Sequence, residues 1–225
     1  MSLKKKRIRI AIIDDHPILR EGMAVFLNQQ NDIEIVGEAE TASQAVDLVE
    51  RLKPEAIFLD ISLKDSNGID AIKSLKAVSP QLRILVLSMH DESIYAPRAL
   101  RAGALGYVMK HESPETMLAA LRKVIQGEIY VSAAMSTQML NDLARGTPIA
   151  RNSPVELLSN RQFEVLILIG KGFGTKQIAE QLNLGVKTIE SHRTHIKRKL
   201  GLETGTQLVH YAIKWIETGD FLSIA

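Results

Sequence analysis

Residues 8–17 read IRIAIIDDHP, a short β-branched run that stops on two adjacent aspartates. Runs of the same kind recur at 33–39, 56–59, 84–87 and 107–109, with helically spaced segments between them. In the first of those segments Leu19, Met23, Phe26 and Leu27 share one helical face, and the last opens with Ser113 and Pro114, an N-cap followed by a proline in the first turn. Strands that alternate with helices imply a parallel sheet, here built from five β-α units. From Gly127 the strand signal stops, and a polar stretch with Gly146, Thr147, Pro148, Asn152, Ser153 and Pro154 precedes a purely helical pattern from Leu158 onward. The expected organisation is therefore a first domain over 1–126, a partly helical linker over 127–157 and a second domain over 158–225.

A chain of 225 residues exceeds one typical domain of about 100 to 150 residues, which agrees with two cores. Hydrophobic residues make up 45% and charged residues 24%, the balance of a packed globular protein and not of a disordered or fibrous one. The absence of cysteine excludes disulfides and thiolate metal sites, and no apolar run reaches the roughly 18 residues of a membrane span. After the basic run Lys4, Lys5, Lys6 and Arg7, the apolar stretch breaks at Asp14 and Asp15, too soon for a signal-peptide core, so a cytoplasmic location is expected. A net charge of +2 is too small to argue for nucleic acid by itself; the placement of charge has to decide.

In open α/β sheets the ligand site lies beyond the carboxyl ends of the strands. Here those ends carry Asp14 and Asp15, Asp60, Ser88 and Lys110. Singly each is ordinary, since an Asp or Ser after a strand forms turns or caps and a Lys is solvated. Together, three carboxylates at one sheet edge repel unless a cation sits among them, and oxygen ligands suit Mg²⁺. Three carboxylates, one Mg²⁺ and one Lys sum to zero. A phosphoryl group entering such a site meets a metal and an ammonium that neutralise its oxygens, while one carboxylate serves as nucleophile and gives an aspartyl phosphate.

The segments IIDDHP (12–17), FLDIS (58–62), VLSMH (86–90) and GYVMK (106–110) resemble the signature of receiver domains, and DDHPILREGM (14–23) resembles the NarL/FixJ class of two-component response regulators. The resemblance covers about the first half of the chain and implies an α/β flavodoxin-like (βα)5 domain. It implies that Asp60 is the phosphoacceptor, served by a cognate histidine kinase or a small phosphodonor. Asp15, Asp60 and the backbone carbonyl of Ser62 would then ligate Mg²⁺, Asp14 would hold a metal water, and Lys110 would pair with the phosphoryl group. Ser88 resembles the hydroxyl that swings onto the phosphoryl oxygens, and Tyr107 the aromatic that moves inward behind it, biasing a two-state face. By residue type alone, Tyr107 reads as a half-buried strand aromatic. One departure follows the acceptor, where Leu63, Lys64 and Asp65 replace the family's hydrophobic-Pro-Gly turn before Asn67 and Gly68; extra charge there is expected to alter metal affinity or phosphoryl lifetime.

The second half divides into helical segments at 160–169, 175–182, 186–200 and 204–217, separated by turns at 170–174, Gly185 and Gly201. This spacing suits a small all-α four-helix domain with a helix-turn-helix. In the third segment Ile189, Ile196 and Leu200 face inward, leaving Lys187, Glu190, Ser191, Arg193, Thr194, Lys197 and Arg198 around the rest. Lys187, Arg193, Lys197, Arg198 and Lys199 against Glu190 place +4 on one helix. Such a stripe suits DNA phosphates, and equally an ordinary solvated amphipathic helix. Residues 158–208 resemble the LuxR-type helix-turn-helix throughout. That resemblance implies that the 186–200 helix enters the major groove of double-stranded DNA. Glu190, Ser191 and Thr194 would face base edges, with Lys187, Thr188, Arg193, Lys197 and Arg198 near the backbone. His192 and His195 read as packing or phosphate contacts. Gly185 stands where a Ser cap is usual, at a cost of roughly a few tenths of a kcal/mol, and Gly205 where the family often has Arg. Leu208, Tyr211, Ala212 and Trp215 share a face of the final helix, read as core packing; by resemblance Val209, Ala212 and Ile213 form the surface of a homodimer on DNA.

Two other readings stand beside a phosphorylation-controlled transcription regulator. Phosphatases of the haloacid dehalogenase type also use an Asp nucleophile with Mg²⁺, but need a second Asp two residues on, where this chain has Ser62. An enzymatic role beyond self-phosphorylation and self-dephosphorylation is therefore not expected. A receiver that signals only through protein contacts remains open, and salt-sensitive binding to duplex DNA separates it from the first reading.

Overall fold

A computed structural model describes residues 7–63, 66–144 and 154–218. Lys4, Lys5 and Lys6, the turn residues Lys64 and Asp65, and Gly146, Thr147, Pro148, Asn152 and Ser153 of the polar stretch lie outside them. The chain divides into two compact units, Met1–Gln138 and Met139–Ala225.

The first unit is a five-stranded parallel sheet of β1 (Ile8–Ile13), β2 (Ile33–Ala39), β3 (Ala56–Asp60), β4 (Arg83–Ser88) and β5 (Gly106–Met109), in the order β2-β1-β3-β4-β5. Helices α1 (Pro17–Asn28), α2 (Ala42–Leu52), α3 (Gly68–Val78), α4 (Glu92–Ala102) and α5 (Pro114–Ile125) connect them. Strands covered on both faces need apolar side chains on both, so β3 is buried at every position and β4 at all but Arg83. Ile10, Ile12, Phe58, Leu85, Leu87 and Val108 meet Met23 and Leu27 of α1 and Leu121 and Val124 of α5 in one core.

The strands at 56–59 and 84–87 extend beyond their expected limits because polar residues keep the ladder going, Asp60 pairing with Leu87 and Ser88 with Met109, and the strand at 107–109 gains Gly106 opposite Leu85. The functional candidates thus sit in or directly after strands, on rigid backbone. The order of strands reverses at β1, which pairs with β2 on one side and β3 on the other, and this switch point carries Asp14 and Asp60 at the carboxyl ends of β1 and β3. Helix starts are fixed locally by Thr41, Asn67, Asp91 and Ser113, whose side chains accept from backbone N–H groups in the first turn.

The strand signal does end before Gly127 as expected, yet one residue beyond it joins the sheet. Tyr130 donates its N–H to Leu105 O (2.9 Å) and accepts from Tyr107 N–H (2.9 Å), covering the outer edge of β5. Ser132 then donates its backbone N–H to Glu92 Oε1 of α4 at 2.8 Å. Helix α6 (Ala133–Ala144) follows.

Beyond α6, whose last turns from Met139 already belong to the second unit, that unit has a short 3-10 turn, Pro154–Leu157, and packs α7 (Asn160–Gly170), α8 (Thr175–Gln181), α9 (Val186–Leu200) and α10 (Gly205–Thr218) around Phe163, Leu166, Ile178, Ile189, Ile196 and Leu208. Ser159 and Gln162 close a reciprocal capping box at the start of α7. As anticipated, α9 begins at Gly185 without a side-chain cap and ends at Gly201 in the left-handed region (φ 69°). Ala212 is fully buried, so it belongs to the core with Leu208 and Tyr211 and not to a free dimer surface; Val209 and Ile213 on the same helix are exposed. The cause is close packing of α7 on α10: a Cβ at Gly170 would lie 2.5 Å from Ala212 O. Gly170→Ala is expected to destabilise the second unit by about 1–3 kcal/mol through overpacking. Scanning calorimetry should show its transition moved down while that of the first unit stays in place.

Candidate functional site

At the carboxyl edge of the sheet the predicted residues converge. Lys110, directly after β5, places Nζ 2.7 Å from Asp60 Oδ2 and 2.7 Å from Asp14 Oδ2. Asp14 and Asp60 are 1% and 2% exposed, whereas Asp15 beside them is partly open to solvent. Burial, the largest cause, pushes the Asp60 carboxyl above its ordinary value and the Asp14 carboxylate adds to the rise, while Lys110 and the backbone amide of Ser62 pull it back. Gly68 is required here, since a Cβ on it would lie 2.0 Å from the carbonyl oxygen of Asp60.

Ser88 and Tyr107 are both fully buried. Ser88 Oγ accepts from His90 N–H (3.0 Å), and the Tyr107 hydroxyl donates to His90 O (2.7 Å). Tyr107 is thus an inward-facing ring with a satisfied hydroxyl, not the half-buried aromatic that its type alone suggests, and burial pushes its phenol well above the usual range. The His90 ring contacts Ser62 Oγ at 2.9 Å and stacks on Tyr95 of α4 with centroids 4.6 Å apart. Sequence reading missed His90, and also Arg20, whose guanidinium donates to Asp14 O (2.6 Å) and pairs with Glu38 and Glu40. An arginine one turn into the helix after an acidic pair was the available signal.

The cluster suits a cation. Asp14 Oδ2 and Asp15 Oδ1 are shut off from solvent, and although Lys110 and His16 lie 2.7 Å from them, neither oxygen accepts a well-aligned hydrogen bond. A cation makes no directional demand, so orphaned oxygens of this kind fit a divalent ion better than they fit N–H donors. One ligand atom from each of Asp14, Asp15, His16 and Asp60 lies within 4.8 Å of the others.

On the second unit, Lys187, Thr188, Glu190, Ser191, Thr194 and Arg198 of α9 are exposed, and Arg193 and Lys197 are partly buried. Ile189 and Ile196 turn inward as expected. Lys199 does not join the outer stripe: its Nζ donates to Leu157 O and to Gln162 Oε1, both at 2.8 Å. Arg161 likewise works internally, bonding Leu182 O in the turn between α8 and α9 (2.6 Å) and the buried Glu164 (2.8 Å). Burial holds the His192 imidazole below its ordinary value, with Arg161 and His195 adding to the effect, which suits a packing role. Among the described residues no helix is long and apolar enough to cross a membrane.

Residues 10–122 match the family model "response regulator receiver domain", and residues 156–212 match "bacterial regulatory proteins, luxR family". The chain is 38% identical over 211 residues to the oxygen regulatory protein NreC of Staphylococcus aureus (strain MRSA252), covering 92% of this chain and 97% of that protein. Among solved structures, RcsB from Salmonella enterica serovar Typhimurium, bound to promoter rprA with the phosphomimetic BeF3−, aligns with a TM-score of 0.60 at 29% identity over 92% of this chain and 99% of that one. A structure of two RcsB dimers bound to two parallel DNAs aligns with a TM-score of 0.55 at 29% identity, over 92% and 98% of the two chains. The acidic strand edge, the helical second unit and both matched models agree: the chain belongs to the NarL/FixJ-type two-component response regulators, a non-enzymatic class that joins a receiver domain to a LuxR-type helix-turn-helix domain.

Proposed function

We propose that phosphorylation of Asp60 in the receiver controls binding of paired promoter half-sites by the LuxR-type domain of a homodimer. What supports the reading is the meeting of Asp60, Asp14 and Lys110 at one dry strand edge, in a chain whose α9 turns Lys187 and Arg198 to solvent. RcsB, a structural neighbour, is bound to promoter DNA in the presence of a phosphomimetic.

In this reading Asp60 attacks the phosphorus of a phosphohistidine in a cognate kinase, or of a small phosphodonor, and the leaving group departs with its electron pair. Asp14, Asp15, Asp60 and the backbone carbonyl of Ser62 would hold Mg²⁺, which would supply charge to neutralise phosphoryl oxygens. Lys110 exchanges its contact with the Asp60 carboxylate for a phosphoryl oxygen. Ser88 turns its hydroxyl to the same group, leaving the His90 amide, and Tyr107 stays inward behind it. Self-dephosphorylation by water returns the site to rest. On the DNA side, Glu190, Ser191 and Thr194 read bases, while Lys187, Thr188, Arg193, Lys197 and Arg198 meet the backbone. The domain limits 1–126, 127–157 and 158–225 and a cytoplasmic location belong to the same reading.

Gel shifts on selected duplexes test it with wild type and Asp60→Asn, before and after beryllofluoride with Mg²⁺. Affinity is expected to rise on the order of tenfold or more in wild type alone, the scale of a coupling free energy of about 1–3 kcal/mol. Equal binding under all four conditions would retain the DNA-binding half and discard the switch. Arg198→Ala should lower affinity evenly across sequences and reduce the slope of log K against log salt by about one. Lys199→Ala should leave the slope unchanged and lower the melting temperature instead.

Asp60→Asn has a second expected effect, without metal. A folded-state pKa raised above 3.8 means that the ionised carboxylate weakens the fold, fully so above the folded pKa and less as acid protonates it. The variant should therefore melt several degrees higher than wild type at neutral pH in EDTA, with the gap closing toward acid pH. A lower melting temperature would mean that attraction to Lys110 outweighs burial.

A further inference from the structure

His16, which follows the acidic pair, has no part in the site's chemistry as described so far. Its backbone N-caps α1, and its ring turns back over the strand edge although the side chain is largely exposed. Nδ1 lies 2.7 Å from Asp15 Oδ1, 3.1 Å from Asp14 Oδ1 and 4.0 Å from Asp60 Oδ2. In an octahedron with bonds of about 2.1 Å, adjacent donors are about 3.0 Å apart and opposite donors about 4.2 Å. These separations fit neighbouring and opposite donors of one ion, and in the protein as it stands the 3.1 Å contact with Asp14 Oδ1 is a hydrogen bond. The orphaned oxygens Asp14 Oδ2 and Asp15 Oδ1 are an independent sign: His16, as an N–H donor, leaves Asp15 Oδ1 without an aligned hydrogen bond.

Oxygen donors alone suit Mg²⁺, whereas an imidazole nitrogen suits first-row transition ions such as Mn²⁺, Co²⁺ and Zn²⁺. We propose that His16 is a further protein ligand of this site and biases it toward first-row transition divalent cations over Mg²⁺. This rests on the reading that Asp14, Asp15 and Asp60 hold a divalent cation. The role is one of metal choice: the carboxylates supply the charge that any divalent ion needs, and the nitrogen adds affinity for the transition ions. A ring that only pairs with carboxylates would treat all divalent ions alike.

The test is calorimetric titration of the full chain with Co²⁺ and with Mg²⁺ at neutral pH, together with the visible absorption of the bound Co²⁺. The proteins are wild type, His16→Asn and Asp15→Asn; Asn is a good N-cap, so the first variant keeps the start of α1. His16→Asn is expected to weaken Co²⁺ binding by about tenfold or more, to leave Mg²⁺ binding unchanged and to shift the Co²⁺ bands to longer wavelength as a nitrogen donor is lost. Equal weakening for both ions, or no change in affinity and spectrum, would overturn the role of His16 while leaving the carboxylate site intact. If Asp15→Asn leaves both affinities unchanged, the ions bind elsewhere, and the reading of the site falls together with the role of His16.

Discussion

A single ammonium, that of Lys110, faces two buried carboxylates at the centre of the receiver, 2.7 Å from each. Charge taken out of water has to be paired, and one positive group cannot neutralise Asp14 and Asp60 together, with Asp15 adjacent. The excess is visible in Asp60, whose carboxyl is pushed up by burial despite Lys110. Sheet order makes the arrangement possible. With β3 between β1 and β4, Asp60 lies beside the acidic pair of β1, and Lys110 reaches it from β5 past Ser88, to which its backbone amide is bonded (2.8 Å). The same excess makes the edge receptive to a cation and to a change of charge at Asp60.

That receptivity is wired outward by short hydrogen bonds. The Ser88 hydroxyl holds the amide of His90, the Tyr107 hydroxyl holds its carbonyl, and the His90 ring touches Ser62, two residues after Asp60. Tyr107 N–H is in turn bonded to Tyr130 on the outer edge of the sheet, and Ser132 is fastened to Glu92 in the first turn of α4. If Ser88 turns toward a phosphoryl group it abandons the partly buried N–H of His90, a loss smaller than the roughly 1–3 kcal/mol of a fully buried donor. The residues attached to that loop are the start of α4 and the ring of Tyr107. Contiguity supplies the material for coupling, and a two-state element has to supply the rest.

The strands were legible because β-branched runs and sharp polar stops are local signals, and the strand-end rule then assembled Asp14, Asp15, Asp60, Ser88 and Lys110 from four separate stretches. The roles assigned to those residues came from resemblance, since a lone strand aromatic such as Tyr107 carries no mark of an inward hydroxyl. What stayed hidden is pairing between distant segments. The contact of His90 with Ser62 spans 28 positions, and that of Lys199 with Leu157 spans 42. No periodicity records such contacts. Helical spacing placed Ala212 correctly in the core with Leu208 and Tyr211, whereas the resemblance put it on a surface with Val209 and Ile213; the absence of a side chain at Gly170 lets α10 come close enough to bury it.

Helix α9 shows why a charge count is a poor map of a surface. Five basic residues lie along α9, yet they divide by what their stems can reach. Lys199 satisfies Leu157 O and Gln162 Oε1, and so locks the 3-10 turn and the start of α7 to α9. Arg161 does the same from the other side, tying α7 to the turn before α9. These two cations would add little to counterion release, because their charge is already engaged inside the domain. They set the position of the helix instead, so that Lys187 and Arg198 stand free on the surface while Glu190, the one acidic residue on α9, is held among exposed neighbours at Ser191 and Thr194. If α9 meets DNA as proposed, a carboxylate there would repel nearby phosphates and could accept from cytosine N4, so it would act on the choice of sequence and not on general affinity.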